Sequence, residues 1–212
     1  MKLELVDADA GNRPWTEPYL LRLPGWTWKR YLEEAPEMRF CEYVEGELVM
    51  HCPVGWDHQD LVRFLTYLLQ GFCSARGLGR VGNGPAVIRV APEKGREPDI
   101  FVIPPEQEAR AHGMPLDIVP SLIVEVASPS TRAMDLEEKR EEYRALGVAE
   151  YWVVDREQKR VTAHRAAEDY RPRACAQGRL ASSAISGFWI QVEWLWRNPL
   201  PPEPECLREI EG

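Results

Sequence analysis

The hydrophobic positions of the chain change between the period of a helix and the period of a strand. From residue 57 to residue 73 the apolar side chains recur every three or four residues, the spacing of one helix face; they are Leu61, Leu65, Leu68 and Phe72. Asp57 can cap this helix at its start, and Gly77 can end it. The same period returns over residues 130–146, with Gly147 as the terminating glycine. Two amphipathic helices are therefore predicted.

Segments with strand-like composition surround these helices. Residues 42–50 predict a hairpin with its tight turn at Glu45 and Gly46, and a short helix is predicted before it, near residues 27–34. Six further runs rich in β-branched and aromatic residues predict strands, the last two at the far edge of the sheet: residues 86–90, 98–103, 121–127, 151–155, 160–165 and 188–192. This order of elements predicts an α/β domain with a central mixed sheet flanked by helices.

Glycine and proline mark the remaining segments. The glycines between residues 77 and 84 lack the spacing of a phosphate-binding loop, so turns are predicted there. The last residues are rich in proline and are predicted to be irregular. The expected organisation is an N-terminal extension with a short helix (1–39), the α/β domain (40–197) and a proline-rich acidic tail (198–212).

Composition narrows the class of protein. With 212 residues, 44% hydrophobic and 28% charged, the chain is neither disordered nor fibrous. No apolar run approaches the roughly 20 residues of a membrane span, and residues 1–7 are too acidic for a secretory signal. The five cysteines are widely spaced, which argues against zinc-ligand pairs and a secreted disulfide framework. We therefore expect reduced thiols, a cytoplasmic location and no membrane association.

Two carboxylates interrupt otherwise apolar strands and are the first candidates for chemistry. If strands 98–103 and 121–127 pair antiparallel across their connection, Asp99 lies beside Glu125 on one face. Paired carboxylates repel each other unless a cation lies between them, and Mg²⁺ takes one or two carboxylates plus waters. The alternative is structural: Asp99 caps a turn and Glu125 forms an ordinary salt bridge.

The next helix places a polar stripe after the strand that carries Glu125. Asp135, Lys139 and Tyr143 follow at four-residue intervals and share one face. An exposed ion pair would explain Asp135 and Lys139, but not their place directly after a carboxylate-bearing strand. His58 shares its helix face with apolar residues and should point inward, either as a supporting residue of the site or as a core histidine bonded to a backbone carbonyl.

These residues together resemble a known family. The chain reads Glu-Pro-Asp-Ile-Phe-Val at 97–102, Pro-Ser-Leu-Ile-Val-Glu-Val-Ala-Ser-Pro-Ser-Thr at 120–131 and Gly-Val-Ala-Glu-Tyr-Trp-Val-Val-Asp at 147–155. With Asp135, Lys139 and Tyr143 in between, this series is similar to the Uma2 family of the PD-(D/E)XK, or restriction-endonuclease-like, superfamily. The resemblance covers residues 40–192, and Glu42, Gly46, Glu47 and His58 match the family's N-terminal pattern.

The resemblance implies a fold and an activity. The fold would be restriction-endonuclease-like, and the activity would be metal-dependent hydrolysis of DNA by a homodimer. Asp99 and Glu125 would bind Mg²⁺ or Mn²⁺. The superfamily lysine normally lies two residues after the glutamate, where this chain has Ala127, so Lys139 is the candidate for the catalytic ammonium.

The resemblance also suggests roles for the neighbouring residues. Lys139 would position or deprotonate the attacking water, or neutralise the scissile phosphate. Asp135 would orient Lys139, and Tyr143 would hydrogen-bond a phosphate or a water at the metal, with Glu42 and His58 as further supporting residues.

The charge distribution does not identify the substrate. The chain carries a formal charge of −8, which excludes general wrapping of nucleic acid. Residues 156–180 contain seven basic and three acidic residues, as expected either of a DNA-tracking patch or of a solvated hairpin face. Two alternatives to a nuclease therefore remain: a catalytically silent binding or assembly module of the same fold, and a hydrolase of a small phosphate compound.

Overall fold

A computed structural model describes residues 6–7, 13–14, 20–34, 41–51 and 54–212, and all structural statements concern these residues. The helices are α1 (Trp28–Glu34), α2 (Trp56–Arg76), α3 (Arg132–Leu136), α4 (Glu138–Leu146) and α5 (Glu203–Glu211). The strands are β1 (Val6–Asp7), β2 (Arg13–Pro14), β3 (Leu20–Pro24), β4 (Cys41–Val44), β5 (Glu47–His51), β6 (Arg80–Asn83), β7 (Ile88–Ala91), β8 (Lys94–Arg96), β9 (Ile100–Ile103), β10 (Leu122–Val126), β11 (Glu150–Asp155), β12 (Arg160–Arg165), β13 (Arg173–Cys175), β14 (Arg179–Ala181) and β15 (Trp189–Gln191).

Six strands form the central sheet in the order β13-β12-β11-β10-β9-β6. Strands β10 and β11 are parallel and the other neighbours are antiparallel, so the sheet is mixed, as predicted. Every residue of β9, β10 and β11 is buried. Strands covered on both faces carry near-continuous apolar sequence, which explains why these runs do not alternate with polar residues.

A second, antiparallel sheet has the order β3-β5-β4-β8-β7. Strands β4 and β5 form the predicted hairpin, and both turn residues, Glu45 and Gly46, have positive φ (51° and 89°). Strand β3 pairs with β5 along five residues, and Tyr31 of α1 donates a hydrogen bond to the Cys41 carbonyl. The boundary predicted after residue 39 therefore does not separate two structural units, because residues 20–34 are built into this sheet.

Helices cover both faces of the central sheet. Helix α2 packs its buried face, including Leu61 and Phe72, against one face, together with the β14-β15 hairpin and α5. Helix α4 covers the other face, where Tyr143 packs with Phe101, Ile123 and other apolar residues. The predicted α/β architecture with flanking helices is confirmed.

Helix α2 has the predicted end but not the predicted cap. Gly77 closes the helix in the left-handed conformation (φ 63°), as expected of a C-terminal glycine. At the other end Gly55 is the N-cap and no side chain caps the helix, so the capping role predicted for Asp57 is wrong. Asp57 lies one residue inside the first turn, where its negative charge favours the helix N-terminus.

The predicted helix over residues 130–146 consists of two helices. Glu137 lies between α3 and α4 with φ −119° and ψ −71°, outside helical geometry. At this break the hydroxyl of Tyr151 donates a hydrogen bond of 2.9 Å to the Asp135 carbonyl, which satisfies a backbone acceptor. Tertiary contact with β11 therefore accompanies an interruption of the helix at the single residue Glu137.

The glycine-rich stretch forms strand β6, not only turns. The edge strand β6 pairs with β9, and the Phe101 ring leaves no room for a side chain at Gly82, where a Cβ would lie 2.3 Å from the ring. A Cβ on Gly79 would lie 2.1 Å from the Ile103 carbonyl oxygen, and its φ is 114°. Glycine is required here by close packing, a reason that composition alone does not reveal.

Two expectations for the C-terminal part are wrong. Strand β15 pairs with β14 in a separate two-stranded sheet instead of joining the edge of the central sheet, which ends at β13. The tail contains helix α5, which packs on α2: Cys206 and Ile210 are buried in the core, and Leu207 contacts Gly71. Pro202 and Pro204 flank the first residue of this helix, where proline is tolerated.

Three of the cysteines, Cys73, Cys175 and Cys206, are free thiols in the part of the chain that the structure describes. Cys52 lies outside that part, as does the segment 1–5. Within the ranges described, none of the helices is long and apolar enough to cross a membrane.

The docking of α5 generates a stability prediction. Ile210 is 6% exposed, and we expect Ile210→Ala to lower the free energy of unfolding by about 2–4 kcal/mol, since it leaves a cavity beside α2. Glu209→Ala, at an exposed neighbouring position, should change the free energy of unfolding by less than about 0.5 kcal/mol. Urea denaturation measures both, and equal stability of the two variants would contradict the packing of α5.

Candidate active site

Glu125 is a carboxylate inside β10, one of the fully buried strands of the sheet. Side chains alternate along a strand, so Glu125 shares its face with Ile123, the face that packs against α4. Only 3% of Glu125 is exposed. A charge in this position is costly unless other groups compensate it.

Asp99 lies beside Glu125, as the register argument predicts. Val124 pairs with Ile100, and the next step of this antiparallel register sets Glu125 opposite Asp99. The Asp99 backbone N–H donates to Glu125 Oε2 (3.3 Å), and the Val126 N–H donates to Asp99 Oδ2 (2.7 Å). Each carboxylate thus accepts a hydrogen bond from the backbone that carries or adjoins the other. The predicted juxtaposition of Asp99 and Glu125 is confirmed.

Lys139 reaches Glu125 from α4. Its Nζ lies 2.8 Å from Glu125 Oε1 and 3.3 Å from Asp135 Oδ1. The Tyr143 hydroxyl donates to the same Glu125 oxygen at 2.9 Å. The polar stripe of Asp135, Lys139 and Tyr143 therefore faces the carboxylate pair in spite of the break before α4, and the exposed-pair alternative for Asp135 and Lys139 is wrong.

The second sheet contributes a buried ion-pair network to the same place. Glu42, completely buried on β4, lies 3.4 Å from Lys139 Nζ and accepts a 2.7 Å hydrogen bond from Arg96 Nη1. Arg96, also completely buried, donates two further hydrogen bonds to Glu142 of α4 (2.6 and 2.8 Å). The Glu97 N–H donates to the second oxygen of Glu42 at 3.0 Å. The guanidinium of Arg96 thus ties β8 and β4 to α4.

His58 is an ion-pair partner of Asp99. Its Nε2 lies 3.4 Å from Asp99 Oδ2, and the Val126 backbone also interacts with the ring, so His58 supports the site and contacts the backbone as well. Its other ring nitrogen, Nδ1, is buried without a hydrogen-bond partner. Burial lowers the pKa of His58, but the Asp99 carboxylate outweighs burial and leaves the pKa raised.

These groups line one cleft of about 80 Å³. Carboxylates and Lys139 form one side, and hydroxyl groups from the loop after β10 form another. Ser128 Oγ lies 3.0 Å from both Ser130 Oγ and Thr131 Oγ1. The lining residues are Val54, His58, Gln59, Glu97, Asp99, Glu125, Val126, Ser128, Ser130, Thr131, Asp135 and Lys139.

Acids outnumber bases in this cluster. Burial raises the pKa of Glu125 to about 8; Lys139 opposes the rise, and the nearby carboxylates of Asp99 and Asp135 add to it. Burial, reinforced by Glu42, also raises the pKa of Glu97 to about 8. Burial would raise the pKa of Asp99 as well, but the hydrogen bond from His58 and the Val126 N–H lower it.

Lys139 remains an ammonium. Burial lowers its pKa, but the carboxylates of Glu125, Glu42 and Asp135 together raise the pKa well above its usual value. A lysine in this state holds its protons at neutral pH and acts as a cation and hydrogen-bond donor, not as a base. Of the roles predicted for Lys139, positioning and charge neutralisation fit this environment, and deprotonation of water does not.

The structure brings all predicted site residues together, but not all in the predicted roles. Tyr143 is completely buried and bonded to Glu125, so it holds that carboxylate instead of facing a phosphate. Sequence reasoning missed Arg96 and did not assign a role to Glu97, although Glu97 stands in the string that carries the family resemblance. No local pattern marks Arg96, because its partners come from residues 42 and 138–142.

The basic segment 156–180 is mostly engaged within the chain. Arg165 pairs with Glu150 and Glu168, and Arg173 pairs with Glu168. Arg179 lies over the Trp189 ring at 3.6 Å. These contacts favour the solvated hairpin over a continuous patch, and DNA binding through this segment stays a prediction.

The side chains in the cleft that could act as ligands determine which metal ion suits it. Among the residues described, no group of three or more His, Cys, Asp or Glu side chains is arranged to hold a metal ion. Mg²⁺ and Mn²⁺ suit carboxylate oxygens, and Mg²⁺ uses one or two carboxylates and keeps several waters. Asp99, with 26% of its side chain exposed, and Glu125 fit such an ion.

Comparisons with known proteins agree with this geometry. The family model "Uma2: Putative restriction endonuclease" matches residues 28–193. A solved structure from Anabaena variabilis ATCC 29413, titled "a putative nuclease belonging to DUF820", superposes with a TM-score of 0.72 at 15% identity, over 81% of this chain and 97% of that chain. A search of curated proteins finds no match. The likeness confirms the restriction-endonuclease-like fold.

The raised pKa of Glu97 predicts how stability depends on pH. The pKa of Glu97 is about 8 in the folded protein, whereas the ordinary value for a glutamate is 4.5, so the folded state binds this proton more tightly than the unfolded state. The contribution of Glu97 to the free energy of unfolding is therefore complete below pH about 4.5 and is lost as pH rises through 8. In EDTA, the melting temperature of the unmodified protein should fall between pH 6 and 9, and that of Glu97→Gln should fall less, because glutamine stays neutral. Thermal denaturation with Glu106→Gln as the exposed control tests this, and parallel pH profiles would contradict it.

Proposed function

The chain belongs to the Uma2 family, and on that premise we propose that it is a metal-dependent endonuclease that hydrolyses phosphodiester bonds of DNA. The catalytic residues would be Asp99, Glu125 and Lys139. One observation carries the proposal: two carboxylates from adjoining strands and an ammonium from the following helix converge on one cleft. Convergence of acids with a cation at an accessible position is the arrangement that hydrolytic metal sites require.

Asp99 and Glu125 would hold the ion. Asp99 is the more accessible of the two and has a pKa lowered by His58 and the Val126 N–H, so it is ionised and ready to bind. Burial raises the pKa of Glu125, and the carboxylates of Asp99 and Asp135 raise it further. A cation would offset the charge of these neighbouring carboxylates. When bound, a divalent ion supplies Lewis acidity at the phosphoryl group.

Lys139 would provide the fixed positive charge of the site. Its ammonium is held by three carboxylates at 2.8, 3.3 and 3.4 Å, so it does not need to reorganise when negative charge develops nearby. Two of these partners, Glu125 and Asp135, line the cleft with it. A proton held at Nζ would orient the attacking water or contact the scissile phosphate.

The remaining partners position these groups. Tyr143 and Lys139 both donate to Glu125 Oε1, and the Asp99 N–H donates to Oε2, so the carboxylate has one orientation. His58 does the same for Asp99. Groups that orient metal ligands commonly change metal affinity about 10- to 100-fold when they are removed.

A catalytically silent module is the second candidate. The observation that favours it is the direct ion pairing of Lys139 and Arg96 with Glu42, in which these three side chains compensate one another. Such a network can serve fold specificity alone. Hydrolysis of a small phosphate compound is a third candidate, favoured by the formal charge of −8 and the small cleft.

Cleavage of DNA tests the nuclease. With Mg²⁺ or Mn²⁺, the protein should nick or linearise supercoiled plasmid, and EDTA should stop the reaction. Asp99→Asn, Glu125→Gln and Lys139→Met should each lower the rate by roughly two orders of magnitude or more, because each removes a charge that acts on the transition state.

Matched exposed variants control for a contaminating nuclease. Asp117→Asn and Glu106→Gln change the same functional groups outside the cleft and should cleave like the unmodified protein. Equal cleavage by all five variants would refute the assignment. Turnover of a small phosphodiester without cleavage of DNA would favour the third candidate.

Metal binding separates the nuclease from the silent module. In isothermal titration, Mn²⁺ should bind the unmodified protein, and Asp99→Asn should weaken binding at least about tenfold, since the ion loses a charged ligand. Asp117→Asn should bind like the unmodified protein. A protein that shows no binding of Mn²⁺ or Mg²⁺ at millimolar concentration would support the silent module.

A further inference from the structure

Two surface grooves adjoin the candidate active site. The cleft encloses about 80 Å³, and the grooves enclose about 400 and 640 Å³. Pockets that hold a whole small molecule commonly measure roughly 300–1,000 Å³, so the cleft accommodates little more than the reacting phosphate. Any larger substrate therefore extends from the cleft into one of the grooves.

The larger groove lies between α2 and the edge strand β6, and we call it the α2–β6 groove. One face of α2 supplies four of its polar lining residues, at the spacing i, i+4, i+7 and i+11: Gln59, Arg63, Thr66 and Gln70. Asn83 of β6 also lines the groove, and its side-chain amide donates a hydrogen bond of 2.6 Å to Thr66 Oγ1. Polar side chains from both elements therefore form this surface.

The α2–β6 groove reaches the proposed metal ligand Asp99. Gln59 lines both the groove and the cleft. Asn83 and Gly84, which line the groove, both donate hydrogen bonds to the Asp99 carbonyl oxygen, from the Asn83 side chain at 3.4 Å and from the Gly84 N–H at 3.3 Å. A strand with one phosphate at Asp99 can therefore continue directly into this groove.

The charge of the α2–β6 groove differs from that of the acid-rich cleft. Within the part of the chain that the structure describes, no Asp or Glu lines the groove. Arg63 lines it; Asp60 and Glu203 offset part of its charge, but 59% of its side chain is exposed. The amides and hydroxyls beside it are groups that bind phosphate oxygens without carrying charge. On a protein of formal charge −8, this groove is a surface that a polyanion can approach.

The other groove is less suited to a phosphodiester strand. Asp57 and Glu157 line it together with Arg156, whose guanidinium donates a hydrogen bond to the Arg197 carbonyl. Two carboxylates beside one guanidinium attract phosphate less than a lining without carboxylates does. The charge distribution therefore favours the α2–β6 groove as the path of the substrate.

We propose that the α2–β6 groove binds the DNA strand on one side of the phosphate to be cleaved. This inference rests on the proposed nuclease function and adds to it the surface that binds the substrate. Arg63, Thr66 and Gln70 contact the sugar-phosphate backbone outside the cleft, so they bind the substrate without taking part in the reaction. The substrate class is DNA that continues past the cut, not a phosphate compound small enough for the cleft alone.

Steady-state kinetics of DNA cleavage test the proposal. The substrate is a labelled DNA duplex of about 20 base pairs, roughly two helical turns, with Mn²⁺ as the ion. Gln70→Glu adds a carboxylate to the groove, and Gln177→Glu makes the same change at an exposed position that lines neither the cleft nor either groove. Arg63→Gln removes the cation of the groove, and Arg110→Gln is its exposed control. Melting temperatures and titration with Mn²⁺ confirm that each variant is folded and has an intact cleft.

A role in binding changes KM and leaves kcat unchanged. Gln70→Glu and Arg63→Gln should each raise KM roughly 3- to 30-fold and keep kcat within about twofold, because the lost interaction is equal in the ground state and the transition state. The effect of Gln70→Glu should shrink between about 50 and 200 mM salt, since salt screens an exposed charge. Gln177→Glu and Arg110→Gln should keep the KM of the unmodified protein.

Three other outcomes overturn the proposal and lead to different conclusions. If the unmodified protein cleaves DNA and the groove variants match their controls, the strand does not follow this groove and the nuclease assignment stands. If the groove variants lower kcat and leave KM unchanged, they act on the cleft and not on binding. If the unmodified protein does not cleave DNA, the proposed function fails and the inference fails with it.

Discussion

The burial of like charges is the constraint on which the candidate site depends. Five carboxyl groups, those of Glu42, Glu97, Asp99, Glu125 and Asp135, surround Lys139 and are joined by only two further bases, Arg96 and His58. In a poorly solvated interior, neither a carboxylate nor an ammonium is stable alone. The fold must bring all of these groups together or none of them, because each depends on its neighbours for compensation.

This constraint explains why distant parts of the chain meet at one place. Glu42 comes from the β4-β5 hairpin, Arg96 from β8, Glu125 from the central sheet and Lys139 from α4. The ion pairs cross between the two sheets and the helix, so they fix the orientation of α4 over the central sheet. A break before α4 is tolerated because Tyr151 satisfies a carbonyl there and the ion pairs hold Lys139 in place.

The parts of the site that could be predicted from sequence follow local or near-local rules. The pairing of Asp99 with Glu125 follows from the register of two strands that are consecutive in the chain, and the contact of Asp135 with Lys139 follows from helix periodicity. Arg96 was not predictable in this way, because the pairing of β8 with β4 joins segments more than 50 residues apart. The same holds for α5 and β6, where packing on α2 and contact with Phe101 decide the structure against the local signals of proline and glycine.

The excess of negative charge also has a consequence for how a phosphodiester could enter the cleft. A polyanion approaching this acid-rich cleft on a protein of formal charge −8 is repelled until a cation offsets part of that charge. Lys139 and Arg96 offset it only in part, since each is already paired with several carboxylates. On the proposed function, substrate binding at this site would depend on a divalent ion and on uncharged contacts, such as the hydroxyls of Ser128 and Thr131 in the cleft wall. Such a site would couple affinity for nucleic acid to the presence of the metal, so that binding and the capacity for hydrolysis would arise together.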